Sequence, residues 1–162
     1  MIREVEREGP REGDSIGRVL ALSAKAMREW FDARLSERGG SLPTWIVLSQ
    51  ALDAPISLSQ RELAARVGIG GATMVRHLDR LEAEGLVVRR RDEQDRRVTR
   101  VEITPTGRAR HAELSEVAAD VDRELAALMS DEEQATLRRL LLAIGEHSTT
   151  SPRGIPEETE AI

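Results

Sequence analysis

A mainly α-helical fold with one small β-hairpin is what this sequence predicts, on three observations. The 162 residues include one Phe, two Trp and no Tyr, so the core must be built from Leu, Val, Ile and Ala, which favours helices. Apolar residues recur with a period of 3.6 through most of the chain. Near the middle, two short β-type runs flank a polar turn within RRRDEQDRRVTRVEIT (Arg89 to Thr104), directly after a pair of short helical patterns joined by glycines. The length suits one small domain with extensions.

The elements follow in order. Residues 1–13 are a polar, flexible arm. A first helix begins at Asp14 and carries Ile16, Val19, Leu20, Met27, Trp30, Phe31 and Leu35 on one stripe, and Gly39-Gly40 ends it. Pro43 suits the first turn of a second helix, which continues through Trp45, Ile46, Leu48 and Leu52 until Pro55 stops it. Residues 56–58 are expected to add a short strand. Ser59 and Glu62 form a capping box for a third helix, which Gly68 terminates. Gly70-Gly71 make the turn into a fourth helix, residues 72–84, with Met74, Val75, Leu78 and Leu81 inward and Thr73, Arg76, His77 and Arg80 outward. Residues 86–90 and 98–104 are the strands. Thr104-Pro105 starts a fifth helix carrying Leu114, Val117, Ala118, Val121, Leu125 and Leu128. Ser130 and Glu133 cap a sixth, with Leu137, Leu140, Leu141 and Ile144. Residues 148–162 are expected to be a disordered tail.

The result is a winged helix-turn-helix of six helices. Its core spans about 42–104 within a single domain of 14–147. The helices at 14–38 and 105–147 carry more apolar stripe than so small a unit covers. Interleaving with a second copy, an intertwined homodimer, is the economical way to bury it.

Net charge is −5, which by itself argues against a nucleic-acid partner. The distribution reverses that inference. Residues 59–110 hold 12 arginines against 8 acids, +4, and the remainder is −9. Local positive charge is what attracts phosphate. No apolar run approaches the ~20 residues of a membrane span. The first residues are too polar for a signal peptide, and no cysteine is present, so the default location is cytoplasmic.

In a helix-turn-helix the second helix enters the major groove. Thr73 near its start can meet a phosphate or a base. Arg76 and Arg80, one turn apart, offer guanidinium forks to guanine, each good pair worth roughly 1–3 kcal/mol of discrimination. His77 suits a base edge or a phosphate. The competing assignment pairs Arg76 and Arg80 with Asp79 and Glu84 along the helix. In the hairpin, Arg97 is placed to exploit the negative potential of a narrow minor groove, with Asp95 holding its guanidinium. Arg96 is a phosphate contact. The competing assignment is a solvated hairpin of self-paired charges. Ser59 and Arg61, at the start of the third helix, complete the DNA-binding set, and double-stranded DNA is the expected partner.

The run from Leu58 to Arg108 resembles the MarR family of bacterial winged-helix regulators. Leu78 to Val87, with Glu82 and Gly85, matches its Leu-x-x-Leu-Glu-x-x-Gly-Leu-Val stretch. Asp95 and Arg97 match the Asp-x-Arg wing, and Ile103 to Gly107 the Ile-Thr-x-x-Gly that follows. Val75-Arg76 and the Asp-Arg-Arg wing look closest to SlyA-like members. The resemblance covers roughly residues 14–147. It implies a homodimer held by the first, fifth and sixth helices, Arg97 in the minor groove, Arg76 in the major groove, and a pseudopalindromic target with half-sites about one helical turn apart. It also implies a ligand-responsive repressor whose effector is a small anionic aromatic. Met27, Trp30, Phe31, Arg34 and Trp45 are the candidate pocket, the alternative being that Trp30 and Trp45 are simply core. Two departures stand out: Gly70-Gly71 replaces a polar pair, and Leu42-Pro43 replaces Leu-Thr.

Sensing by cysteine oxidation is excluded by composition. Three histidines, His77, His111 and His147, are too few for a zinc sensor, and His111 is assigned to solvent or an interface. No phosphate loop, nucleophile–histidine pair or metal cluster points to catalysis, so no cofactor or metal is expected. The alternative function is a winged helix used for protein–protein contact.

Overall fold

A computed structural model describes residues 9–92 and 94–150. The order is α1 (Ile16–Glu37), α2 (Leu42–Leu52), α3 (Gln60–Val67), α4 (Gly71–Ala83), β1 (Val87–Arg91), β2 (Thr99–Ile103), α5 (Pro105–Ala126) and α6 (Asp131–Thr150). Six helices and one antiparallel hairpin make the winged helix-turn-helix architecture. Two compact units divide at Ala119 and Asp120. No described helix is long and apolar enough to cross a membrane.

In the first unit, α1 starts two residues later than Asp14. Ser15 takes the cap, accepting the Arg18 N–H, while the Asp14 carboxylate accepts the Arg11 N–H and pairs with Arg18. At the other end Gly39 has φ +68°, and the chain turns tightly enough that the Leu42 N–H reaches the Asp32 carboxylate at 2.7 Å. Ser41 caps α2, with Pro43 in its first turn where no N–H is needed. Both halves of the Ser59–Glu62 capping box are formed on α3. Gly68, at φ +73°, closes that helix in the left-handed conformation that glycine adopts without strain.

The main core joins α2, α3, α4 and the hairpin around Val47, Leu48, Leu58, Leu63, Met74, Leu78, Leu81, Leu86, Val87 and Val101. Each such side chain contributes about 1.5–3 kcal/mol by leaving water. Val75, expected inward, is only half-buried. A second cluster, Leu35, Leu42, Leu114 and Val117 with Phe31, Trp45 and Ile46, ties α1, α2 and α5 together. The start of α5 is fixed by Thr104. Its hydroxyl accepts the Gly107 N–H at 3.0 Å and donates to the carbonyls of Gly85 and Leu86.

The hairpin register pairs Val87 with Ile103 and Arg91 with Thr99, so each strand sits one residue inside or beyond its expected bounds. The short strand expected at 56–58 does not form. Its pairing with β2 is reduced to one bridge, Ser59 to Arg100, and one bond from the Val101 N–H to the Leu58 carbonyl at 2.9 Å. Pro55 has no N–H to donate and Ile56 is exposed, so the ladder gains nothing further out.

The second unit holds the last turns of α5 and the whole of α6. Ser130 and Glu133 form the expected reciprocal cap. Gln134 donates to the carbonyls of Ala126 and Met129, closing the interhelical turn. Helix α6 continues to Thr150, three residues past its expected end. A cleft of about 460 Å³ is lined by Leu125, Met129, Leu137 and Leu141 among others. Leu137, Leu140, Leu141, Leu142 and Ile144 are all exposed. The remaining expected tail, residues 151–162, and the first eight residues of the arm lie outside the described residues.

Candidate nucleic-acid interface

Helix α4 presents its polar side as expected in outline, but with the charges sorted. Met74, Leu78 and Leu81 are buried. Arg76 and Arg80 are exposed, and Thr73 and His77 are half-buried. The acids on α4 do not face Arg76. Asp79 and Glu82 instead hold Arg89 of β1. Arg89 donates its N–H to one Glu82 oxygen at 3.0 Å and its Nη2 to the other at 2.6 Å, and the same nitrogen lies 2.7 Å from Asp79. Glu82 sits below the usual carboxylate range because of those bonds. Arg76 is thereby left with one contact among the described residues, a bond from Nη2 to the Thr73 hydroxyl at 3.3 Å. Arg80 does pair with Glu84, at 2.8 Å. Both partners are well exposed, and such a pair holds no more than about 1 kcal/mol, so a duplex can compete for it.

The wing turn is built by two aspartates accepting main-chain N–H groups. Asp92 accepts from Gln94 at 2.8 Å and Asp95 at 3.0 Å. Asp95 accepts from the Arg97 N–H at 2.9 Å. This corrects the expected role of Asp95, which holds the Arg97 backbone rather than its guanidinium. A carboxylate two residues before an N–H meets it in a local turn, whereas the guanidinium lies at the end of a long side chain. The side chains of Arg96 and Arg97 are exposed and have no acid partner among the described residues. The same holds for Arg61 on α3. Ser59, by contrast, spends its hydroxyl on the Glu62 N–H at 3.2 Å and is half-buried.

One group at the base of the wing was not singled out from the sequence. Arg100 of β2 donates Nε to Asp92 at 2.5 Å and Nη1 to the Ser57 carbonyl at 2.8 Å, and lies 3.8 Å from Glu62. The Arg100 bond, followed by those from Asp95 and Gln94, holds the Asp92 carboxyl down at about 2. Only the strand register reveals the partnership, because eight residues separate Asp92 from Arg100.

The candidate effector residues lie on α1 and α2. Phe31 and Trp45 pack ring against ring at 5.3 Å within the second core cluster, and Arg34 lies 5.9 Å over the Trp30 ring. Met27 and Trp30 are half-buried. Trp45 donates its indole N–H to Ser115 at 3.1 Å. His111, assigned from sequence to solvent or an interface, is half-buried inside this unit. Its Nε2 lies 3.0 Å from the Ser49 hydroxyl and 3.3 Å from that of Ser115. Burial pushes its pKa below the ordinary value, opposed by the Asp53 charge.

A helix-turn-helix whose second helix bears Arg76, beside a wing bearing Arg96 and Arg97, all three without an acid partner among the described residues, defines a winged-helix protein of the regulator type. The model of the MarR family matches residues 41–98. The crystal structure of transcriptional regulator PA3341 is 35% identical, with a TM-score of 0.73, over 85% of this chain and 100% of that one. CouR bound to a 23-mer DNA duplex is 26% identical, with a TM-score of 0.77, over 85% and 99%. CouR from Rhodococcus jostii RHA1 bound to p-coumaroyl-CoA is 26% identical, with a TM-score of 0.70, over 81% and 92%. The chain belongs to the MarR family of transcriptional regulators.

Proposed function

We propose that this regulator binds double-stranded DNA sequence-specifically as a homodimer, and acts as a ligand-responsive repressor on a pseudopalindromic operator. The observation that carries the reading is the sorting of charge. Asp79 and Glu82 of α4 are taken by Arg89, and Asp92 and Asp95 of the wing by Arg100 and main-chain amides, while Arg76, Arg96 and Arg97 have no acid partner among the described residues. Arg76 is assigned to a base edge in the major groove and Arg97 to the minor groove. Arg61 and Arg96 are assigned to phosphates, with Thr73, His77, Arg80 and Ser59 around them. CouR, a relative of the same fold, has been crystallised on a duplex, which supports this assignment. Selection of bound fragments from a random duplex pool, repeated at low and moderate salt, tests it. Recovery of a palindromic motif, with affinity falling steeply as salt rises, is the expected result. Binding to no duplex overturns it.

The effector we assign is a small anionic aromatic held near Met27, Trp30, Phe31, Arg34 and Trp45. Support comes from the clustered rings, the guanidinium over Trp30, and the p-coumaroyl-CoA complex of CouR. An effector works only through unequal affinity for the bound and released states. Titrating aromatic carboxylates should quench tryptophan emission and release the duplex together. An unchanged emission with undiminished DNA binding across the series counts against the pocket.

A further inference from the structure

We propose that Arg100 is a positioning residue that fixes the wing to the start of α3, so that both engage DNA as one rigid body. The inference rests on the DNA-binding reading above. Three observations carry it. First, Arg100 joins three separate segments: the Ser57 carbonyl before α3, the Glu62 carboxylate in its first turn, and Asp92 at the mouth of the wing. Second, the chain of contacts continues to the tip. Asp92 accepts the amides of Gln94 and Asp95, and Asp95 accepts the amide of Arg97. The place of the Arg97 backbone is thus set, bond by bond, from the start of α3. Third, the Arg100 side chain is 31% exposed and that of Asp92 14% exposed. The guanidinium is turned inward onto these partners, unlike those of Arg96 and Arg97.

The physical effect is on ordering. A two-stranded hairpin is marginally stable by itself, and a wing that swings must be immobilised when it enters a groove. The single backbone bridge between Ser59 and Arg100 is a weak hinge without a side-chain brace. With the brace, that ordering is done before DNA arrives.

The test uses the full-length protein and a duplex recovered from the random pool. Arg100→Gln is expected to weaken binding about tenfold, the scale of coupling between residues sharing a network. Its salt dependence should match that of wild type, because no phosphate contact is lost. Arg96→Ala, which removes an assigned phosphate contact, should instead make the slope shallower by about 0.9 for each contact removed. In the Arg97→Ala background, Arg100→Gln should cost less than about threefold, since the effect runs through Arg97. Asp92→Asn keeps an oxygen for the turn amides but removes the charge facing Arg100. It should reproduce Arg100→Gln, and the double variant should bind no worse than either single one. Wild-type affinity in both Arg100→Gln and Asp92→Asn overturns the inference. So does an Arg100→Gln loss that is fully additive with Arg97→Ala and carries a shallower slope, which would make Arg100 a direct phosphate contact. Failure of the wild-type protein to bind any duplex overturns the functional reading instead.

Discussion

Arginine is used in two ways in this chain, and single substitutions separate them. Arg89 and Arg100 are structural, each holding two or more partners across elements. Arg76 and Arg97 carry exposed guanidinium groups with no acid partner among the described residues. Arg97→Ala is expected to weaken duplex binding about tenfold or more with an unchanged melting temperature; unchanged affinity in a gel-shift titration would sink the wing assignment. Arg76→Ala should relax preference at one position per half-site by roughly 1–3 kcal/mol, read by repeating the pool selection. A uniform loss across sequences would make it a phosphate contact. His111 gives a pH signature. Its folded pKa lies below the ordinary 6.5, so the unfolded chain takes up the proton first. The contribution is therefore complete above about pH 6.5 and is lost as pH falls below it. Melting at pH 5.5 should be lower than at pH 7.5, by a margin that shrinks in His111→Gln. Equal margins in the two proteins would assign the effect to other groups. Asp92, held at about 2, contributes above the ordinary 3.8 and is lost only as pH falls from there toward 2, so it does not titrate in that range.

At the scale of elements, the joint between hairpin and α5 tolerates least. A Cβ on Gly107 would lie 2.0 Å from the Leu86 carbonyl oxygen and 2.8 Å from Ile103 Cγ2. Backbone on one side and core on the other leave nowhere to shift. Gly107→Ala should destabilise by about 1–3 kcal/mol or more in urea unfolding, and no loss would show that the joint yields. The Thr104-Pro105 start of α5 is legible in the sequence, because a cap is a local device, whereas the close approach of Gly107 to Leu86 is not. The same locality makes Ser59–Glu62 and Ser130–Glu133 readable, together with Met74, Leu78 and Leu81 of α4 and Leu114, Val117 and Val121 of α5, while Leu128 falls beyond the end of α5 and is exposed. What escaped depends on residues distant in sequence. The Asp92–Arg100 pair follows from strand register, which a one-residue slip would invert. The use of Asp79 and Glu82 by Arg89, rather than by α4's own arginines, follows from how β1 crosses the helix. The Asp95 contact was expected from the right residue and met the wrong atom of Arg97. His111 was misplaced because a lone polar residue on a helix does not announce the two serines that enclose it.

For the whole molecule, the uncovered leucines of α6 set the expectation. Equilibrium sedimentation at micromolar concentration should show a dimer, and Leu140→Glu should shift it to monomer. A monomeric wild-type protein would contradict the interleaved helices. Two phosphate contacts in each protomer, from Arg61 and Arg96, at about 0.9 per contact, give a slope of about −4 for log affinity against log salt. A slope near zero would mean that the acidic remainder of the chain cancels the basic face.

The exposed row from Leu137 to Ile144 also makes the protein's own abundance a variable. If those side chains are covered only by a second copy, their burial obeys mass action, and dilution acts on α6 much as a denaturant would. Melting temperature should then rise with protein concentration. Below the dissociation constant the DNA-competent pair grows as the square of the chain concentration. A cell holding few copies would carry a regulator whose occupancy of its operator responds more steeply to synthesis and dilution than any single site could.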